Sequence, residues 1–333
     1  MRTATIVTIA LLLGTAPAAA QSALTADAIN AADLATLQQA APAAPAWTPA
    51  AREVDAPDPA IVRLQVLLDR AGASPGVIDG YDGDNVRKAI FAFELMRDLP
   101  ADGRLDADML AALDTGEPVI GTYEITGEDA ADIGPPIPTD YAEMATRDFL
   151  GYTSVAEALG ERFHMAEKLI VALNPGSGFA VGDTVLVAAY GPDLTGAVAR
   201  IEADKSLRQV RAYDAEDRLI AAYPATIGSE DNPSPTGTHI VEAVAPMPNY
   251  TYNPKINFQQ GDNTEVLTIP PGPNGPVGSM WIDLSEPTYG IHGTPEPSKI
   301  DKTGSHGCIR LTNWDADELA AMVTPGVPVV FME

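Results

Sequence analysis

The most reactive stretch of the sequence lies near its end, where the only cysteine of the chain, Cys308, is accompanied by two of the four histidines. His306 lies just before the cysteine, and His292 lies further upstream. A thiol needs a base to act as a nucleophile near neutral pH, and an imidazole can take its proton and later return it to a leaving group. The pattern therefore predicts nucleophilic catalysis by Cys308 with a histidine as the base.

The residues around this pair suggest how it could work. His292 ends one predicted strand and Cys308 begins another, so the loop between them can bring the two side chains face to face. The carbonyl of Gly293 could fix the tautomer of the imidazole, as a carboxylate does in other enzymes. Gly307 leaves room for a substrate carbonyl to approach. Backbone N–H groups at Gly307 and Cys308 could then hold an oxyanion.

Two other interpretations of these residues are open. His292, His306 and Cys308 could be zinc ligands, but a structural zinc site usually has four ligands and the chain has no second cysteine. Cys308 could instead be an inert buried thiol, which would leave the neighbouring histidines and glycines without a reason. We therefore expect no metal and no cofactor.

The elements that must position these residues form a predicted β-rich, sandwich-like domain over residues 196–333. Short apolar or β-branched segments between turn residues predict strands at 198–201, 207–213, 219–227, 238–244, 280–284 and 327–331. One helix is predicted after Thr312, and it ends before Pro325 and Gly326. The remaining long segment, residues 245–276, shows few strand signals. We expect it to be a lid carrying Tyr250 and Tyr252 against the substrate, or else a disordered surface insert.

The cysteine motif resembles the catalytic signature of the L,D-transpeptidase family with its YkuD-type domain. The matching segments are His292-Gly293-Thr294, Ser305-His306-Gly307-Cys308 followed by Arg310, Pro235-Thr236-Gly237, Pro276-Val277-Gly278 before Trp281-Ile282, and Gly326-Val327-Pro328-Val329. The resemblance implies that Cys308 forms the acyl-enzyme and that His292 is the base. It also implies that Ser305, His306, Gly307 and Arg310 shape the pocket and the oxyanion site. The division of roles between His292 and His306 is left open.

The reaction that the resemblance implies is cross-linking of peptidoglycan stem peptides. The thiolate attacks the carbonyl of the third residue of a tetrapeptide stem and expels D-Ala, and an amine of a second stem then takes the acyl group. Carbapenems are the implied inhibitors. Water as the acceptor would give a carboxypeptidase or endopeptidase, and a protein lysine would give protein anchoring. A rival of another class is a non-catalytic protein that binds the wall.

The start of the chain predicts export. Arg2, a short apolar run and Ala18-Ala19-Ala20 form the pattern of a signal peptide over residues 1–20, too short to span a bilayer. We expect a periplasmic protein with no membrane span. Residues 21–57, rich in Ala and Pro, are predicted to be a linker with a short helix near residues 27–39. The formal net charge of −26 argues against nucleic acid as a partner.

Between this region and the β-rich domain, residues 58–114 show three short helical patterns, the last starting at Asp106. The stretch resembles the peptidoglycan-binding domain type 1 family. The matching residues are Leu64-Gln65, Gly72, Asp79-Gly80, Gly83, Ala89, Phe93 and Asp102-Gly103. Glu94 stands where that family usually has Gln. The resemblance implies binding to peptidoglycan, whereas the alternative is a plain three-helix spacer. Because the nucleophile lies in another domain, we expect a soluble stem peptide to be turned over without residues 58–114.

Residues 115–150 are interpreted as a connector with a strand at 119–125. Residues 151–191 are similar to a degenerate LysM-like unit, although its usual opening strand is not evident. His164, in this unit, and His239 are expected to be structural.

Overall fold

The computed structural model describes residues 24–38, 56–256 and 258–333. The signal peptide expected over residues 1–20 and the Ala/Pro-rich run 40–45 lie outside the described residues. Within the part of the chain that is described, no helix is long and apolar enough to cross a membrane.

The first unit is a helical module. Its helices are α1 (Ala26–Asn30), α2 (Pro59–Arg70), α3 (Asp84–Met96) and α4 (Ala107–Leu113). Helix α2 begins at a proline, whose lack of an N–H costs nothing there, and the Asp58 side chain accepts the Ala60 N–H as the N-cap. In the turn before α3, the Gln65 amide oxygen accepts the N–H groups of Asp79 and Gly80. The sequence-predicted N-cap of the last helix, Asp106, accepts the Met109 N–H.

Residues 24–38 differ from the predicted linker, because they pack against the helical module. Ile29 and Leu34 are buried in the same apolar cluster as α2. The Asn30 side chain accepts the N–H groups of Val119 and Ile120 and donates to the Ile120 carbonyl. A few apolar residues among many alanines were enough to dock this segment, and composition averaged over residues 21–57 concealed them.

The middle of the chain is a strand–helix–helix–strand unit with an insertion. Its elements are β1 (Ile120–Glu124), α5 (Tyr141–Met144), α6 (Val155–Arg162), α7 (Glu167–Leu173) and β2 (Thr184–Ala188). The strand predicted at 119–125 is present as β1, and it pairs antiparallel with β2. Strand β1 lies in the predicted connector, outside residues 151–191. Residues 125–154, including α5, are inserted between this strand and α6.

The last unit is dominated by a sheet. Its strands are β3 (Arg200–Asp204), β4 (Gln209–Tyr213), β5 (Leu219–Pro224), β6 (Thr226–Ile227), β7 (Gly237–Pro246), β10 (Met280–Leu284), β11 (Gly290–His292), β12 (Ile309–Arg310) and β13 (Pro328–Met332). They pair in the order β5-β4-β3-β13-β7-β10-β11-β12-β6. Strands β5 and β6 are separated only by Ala225 yet stand at opposite ends of this order. The sheet is therefore curled until its two ends nearly meet, and the domain is β-rich as expected.

Strand β7 is the bend between the two halves of this sheet. Its first residues, Gly237–Ile240, pair with β13, and the residues from Val241 to Pro246 pair with β10. Helix α8 (Asn313–Met322) lies against β10 and β11, and its N-cap is Thr312, whose hydroxyl accepts the Asp315 N–H.

Residues 245–276 are more ordered than the sequence indicated. They contain a small antiparallel hairpin, β8 (Tyr250–Tyr252) and β9 (Leu267–Ile269). The hairpin has its own apolar cluster, in which Tyr252, Ile269 and Leu150 are fully buried and Tyr141 of α5 packs against them. The signal for these strands was weak because each is three residues long.

Candidate active site

Strand pairing determines which side chains meet at the candidate site. Strands β11 and β12 are parallel, with Ile291 opposite Ile309 and His292 opposite Arg310. Both isoleucines are fully buried in the core. Because side chains alternate between the faces of a strand, His292, Arg310 and the residue before Ile309, which is Cys308, lie on the other face. The structure therefore places the sequence-predicted nucleophile and base on one face of neighbouring strands.

The hydrogen bonding of His292 defines its tautomer. Its Nδ1 lies 2.7 Å from the carbonyl oxygen of its neighbour Gly293. A carbonyl only accepts, so Nδ1 carries the hydrogen and Nε2 keeps a free lone pair. Burial and, second, the nearby Arg310 guanidinium lower the pKa of His292 to about 4. The imidazole is thus a neutral acceptor over the physiological pH range.

The thiol of Cys308 is also neutral at rest. Burial raises its pKa, and this effect exceeds the lowering by the Gly290 backbone and the Arg310 charge. Its Sγ lies 3.7 Å from the Thr288 carbonyl oxygen, which can accept the S–H. A neutral thiol beside a neutral imidazole favours removal of the proton during attack over a preformed thiolate–imidazolium pair.

Two buried serines hold the turn that carries the cysteine. The Ser305 hydroxyl donates to the Cys308 carbonyl at 2.6 Å and accepts the Gly228 N–H at 2.8 Å. The Ser234 hydroxyl donates to the Gly307 carbonyl at 2.6 Å. Ser305, predicted as a pocket residue, is only 3% exposed, so it acts on the backbone of the turn.

Gly307 cannot be replaced in this turn without displacing a neighbour. Its φ of +105° lies in a region that other residues rarely adopt, and an added Cβ would lie 2.5 Å from the Tyr289 ring. Its N–H donates a hydrogen bond to the Ser305 hydroxyl oxygen, with 3.3 Å between the nitrogen and the oxygen. Gly293 is equally confined, since a Cβ there would collide with the Asn313 side-chain oxygen.

The other predicted pocket residues line one side of the cysteine. The Arg310 Nη1 donates to the Gly304 carbonyl at 3.4 Å. The His306 ring is stacked on Phe258, with centroids 3.9 Å apart and planes inclined by 11°. His306 is exposed as a residue, but the atoms around its ring remove part of its water. This desolvation and, second, the Arg310 charge lower the pKa of His306. The two histidines therefore have different surroundings. His292 lies in strand β11 of the sheet, whereas His306 packs against Phe258, between the two strands of the β8–β9 hairpin.

The two hairpin tyrosines differ. Tyr250 is half-buried and packs edge-on against Tyr141, and its pKa is raised by burial and then by Tyr141 and Cys308. Tyr252 is fully buried; its hydroxyl accepts the Gln260 N–H, and its ring packs edge-on against Tyr141. The expectation that Tyr252 rests on a substrate is therefore wrong, because no part of its ring reaches the surface.

Several residues of the site were not singled out from the sequence. Trp281, named above only as part of a matching segment, stacks on His292 with centroids 5.6 Å apart and donates to Asp283 at 3.0 Å. Gly290 makes room for it, since a Cβ there would lie 2.5 Å from the indole. Trp281 lies opposite His292 in the register of β10 and β11. Both residues belong to the matching sequence segments, but only the register of the strands shows that they are neighbours.

The remaining histidines have structural contacts. His164 binds Asp69 of α2 at 2.8 Å and stacks on Trp314, and the His239 Nε2 lies 3.1 Å from the Thr236 carbonyl oxygen. Over residues 24–38, 56–256 and 258–333, no group of three His, Cys, Asp or Glu side chains is arranged to hold a metal ion.

Comparison with known proteins gives the same location for the catalytic unit. The model of the L,D-transpeptidase catalytic domain, YkuD, matches residues 199–331. A Bacillus licheniformis protein that is named L,D-transpeptidase YkuD is 30% identical to this chain over 177 residues. These residues are 52% of this chain and 90% of that protein. The chain belongs to the L,D-transpeptidase family.

The helical module and further relatives extend this comparison. The model of a peptidoglycan binding domain matches residues 57–113. The Escherichia coli L,D-transpeptidase YbiS is 26% identical over 209 residues, which are 60% of this chain and 68% of that protein. The match to the solved structure of an L,D-transpeptidase from Mycobacterium smegmatis covers 45% of this chain and 66% of that chain. The sequence identity is 20% and the TM-score is 0.35. This L,D-transpeptidase family member thus pairs an N-terminal peptidoglycan-binding region with a β-rich catalytic domain.

Proposed function

We propose that this protein forms cross-links between peptidoglycan stem peptides through an acyl-enzyme on Cys308. The observation that carries the proposal is the common face of His292 and Cys308, with Nε2 of the imidazole left as an unprotonated acceptor. Family membership supplies the substrate class.

In the first step, Nε2 of His292 takes the proton of the Cys308 thiol as the sulfur attacks the third-residue carbonyl of a tetrapeptide stem. The new S–C bond gives a tetrahedral intermediate with a negative oxygen. Collapse of this intermediate breaks the bond to D-Ala, whose nitrogen receives the proton from His292. A thioester on Cys308 and free D-Ala remain.

In the second step, an amine of another stem loses its proton to Nε2 and attacks the thioester carbonyl. The C–S bond breaks as the amide forms, and the thiol of Cys308 recovers the proton. His292 is neutral before and after each step, in agreement with the lowered pKa of this buried imidazole. The Nδ1 bond to Gly293 keeps the ring in the required tautomer throughout.

The backbone turn that carries the cysteine is the proposed oxyanion site. The carbonyls of Gly307 and Cys308 are both bound to serine hydroxyls, at Ser234 and Ser305 respectively. Because the Gly307 N–H donates to the Ser305 hydroxyl, the Cys308 N–H is the donor of the turn that we propose for the developing charge. Arg310, on the same face, adds a positive charge that attracts the same oxygen.

The hairpin β8–β9 is the proposed lid over the acyl-enzyme. A thioester in an open cleft meets water, so cross-linking requires that water be excluded and the amine be held in position. Phe258 stacks on His306, two residues before Cys308, and Phe258 and Tyr250 are the apolar side chains that we propose for that purpose. With water as the acceptor the same nucleophile would act as a carboxypeptidase.

The N-terminal units are proposed to bind the wall. The helical module matches a peptidoglycan binding domain, and the unit formed by β1, α6, α7 and β2 has the strand–helix–helix–strand order of a LysM-like fold. A substrate outside the cytoplasmic membrane also requires export, so we assign the protein to the periplasm. Carbapenems are the proposed inhibitors, since an L,D-transpeptidase among the structural neighbours was solved in complex with imipenem.

The test is to incubate wall fragments with the purified protein and to identify the products by mass spectrometry. Cross-linked dimers with loss of D-Ala would support the proposal. Trimmed tripeptide stems without dimers would instead identify a carboxypeptidase. Cys308→Ala and His292→Ala are the matched variants, and product formed by Cys308→Ala at the wild-type rate would refute the assigned nucleophile.

A further inference from the structure

The loop that joins the two catalytic strands is bound by a residue of another unit. Residues 293–304 connect His292 to Ser305 and therefore to the turn that carries Cys308. In this loop the Asp301 carboxylate lies 2.5 Å from the Lys88 ammonium of α3, in the helical module. The two side chains are 9% and 7% exposed, so the ion pair is almost removed from solvent.

Asp301 is held from three directions. Its second carboxylate oxygen and its carbonyl accept hydrogen bonds from Arg208, at 3.2 and 2.9 Å. Its N–H donates to the Thr226 hydroxyl of β6 at 2.9 Å. Its φ of +67° is a backbone conformation in which Asp and Asn are enriched, and these bonds maintain it. The conformation of the loop at this point therefore depends on Lys88 as well as on the sheet.

The module presents Lys88 on a rigid support. The N–H of Ser74 donates to the Ala222 carbonyl, and the Ala222 N–H donates to the Gly72 carbonyl, both at 2.9 Å. The module thus continues the sheet beyond its edge strand β5. The Gln209 amide donates to the Lys88 carbonyl at 3.2 Å, so the backbone of the lysine is also fixed to the sheet.

From these contacts we propose that Lys88 is a positioning residue for catalysis, which holds the loop between His292 and Cys308 through Asp301. The inference rests on the proposed function, because it concerns the reactivity of Cys308. It also makes the helical module part of the catalytic unit rather than a separable wall anchor. The expectation that residues 58–114 can be deleted without loss of turnover is at odds with these contacts, since deletion would expose the edge of β5 and leave Asp301 without Lys88.

The test uses point variants of the full chain. Lys88→Met keeps the aliphatic stem and removes the charge, so we expect acylation of Cys308 by imipenem to slow by about tenfold or more, as small misplacements of catalytic groups do. Lys88→Arg keeps the charge and should restore most of the rate. Arg63→Met is the control, because the Arg63 side chain is buried like that of Lys88 (9% exposed) but pairs inside the module with Asp114, which is 36% exposed and is not part of the loop. It should lower the melting temperature without changing the acylation rate of the folded protein.

A second measurement keeps this inference separate from the proposed function. Alkylation of Cys308 by iodoacetamide needs no substrate, and its pH midpoint reports the environment of the thiol. In Lys88→Met a loosened turn exposes the sulfur, so the midpoint should move to lower pH, whereas Arg63→Met should match the wild type. Acylation of the double variant Lys88→Met/Asp301→Asn should be no slower than that of Lys88→Met, since both changes remove the same ion pair. Asn also tolerates the positive φ at this position.

The outcomes are distinct. Wild-type acylation rate and an unchanged alkylation midpoint in folded Lys88→Met would overturn the positioning role. A wild-type protein that is alkylated but never acylated would instead refute the proposed function, while the midpoint shift would still decide the role of Lys88.

Discussion

The protonation of His292 gives a sharp prediction for the pH dependence of catalysis. Burial, followed by the Arg310 charge, lowers its pKa from 6.5 to about 4. At about 1.4 kcal/mol per pH unit, the folded site disfavours the imidazolium by roughly 3 kcal/mol. At pH 5.5 an imidazole with a pKa of 4 is about 97% neutral, whereas one with a pKa of 6.5 is only about 9% neutral. An acid assay therefore separates the two cases by about tenfold.

The assay is the rate of acylation by imipenem, or kcat/KM with a soluble tetrapeptide, from about pH 3.5 to 8. We expect a plateau down to about pH 5 and a half-maximal value near pH 4, because kcat/KM reports the free enzyme. Arg310→Gln removes the second cause of the shift, so its acid limb should move toward higher pH. Circular dichroism at each pH is the control for unfolding. An acid limb near pH 6.5 in the wild type would refute the reasoning.

The same group affects stability, and the sign follows from linkage. Because the folded-state pKa is below the unfolded value, the unfolded chain binds more protons between about pH 4 and 6.5. The free energy of unfolding contributed by His292 therefore falls as the pH drops through this window, and the contribution is complete above it. His292→Gln should flatten the dependence of the melting temperature on pH over that range.

Three further predictions concern other parts of the molecule. Imipenem should add one mass to the peptide that contains Cys308, and Cys308→Ala should gain none; labelling of another peptide would contradict an activated thiol. Tyr141→Ala should raise the ratio of tripeptide to cross-linked dimer while acylation persists, because Tyr141 packs edge-on against both hairpin tyrosines and Phe258; an unchanged ratio would count against the lid. Glu94→Gln should raise the melting temperature at pH 8 and have little effect at pH 5, because burial raises the pKa of Glu94 to about 7 and the folded state loses stability as the carboxyl ionises; no difference between the two pH values would refute that assignment.

The Glu94 prediction also explains how a departure from a family pattern is accommodated. The carboxylate oxygen accepts the N–H groups of Asp102 and Gly103 at 2.9 and 2.8 Å. An amide oxygen can accept the same two bonds, which accounts for Gln at this position in the peptidoglycan-binding family. Glu94 therefore performs the structural role of Gln with a charge added.

The grouping of the candidate site residues could be predicted because these residues are close in sequence. A single cysteine, two histidines and an adjacent glycine predict a nucleophile, a base and a tight turn, and the structure gives this glycine, Gly307, a positive φ. The strand segments could be predicted for the same reason, since a run of apolar or β-branched residues between turn residues is a local feature of the sequence. The β8–β9 hairpin escaped because three residues provide no period.

Contacts between distant segments could not be predicted, since each side looks ordinary alone. Trp281 and His292 become neighbours only through the register of β10 and β11. Tyr141 lies in a segment interpreted as a connector, yet its ring contacts Tyr250 of the β8–β9 hairpin. Single-sequence patterns carry no information about such register or docking.

The Lys88–Asp301 pair shows why this matters for function. On a helix, Lys88 is an ordinary charged residue, and a lysine is almost never buried unless it is paired. In the structure Lys88 is buried against Asp301, which lies 213 positions further along the chain. A buried ion pair gives little net stability, but loss of one partner leaves the other charge in a poor solvent and is strongly unfavourable. Such a contact therefore resists small displacements of the loop more than it strengthens the fold. That property suits the positioning role proposed for Lys88, because the loop that it restrains begins after His292, the proposed base, and ends at Ser305, three residues before Cys308.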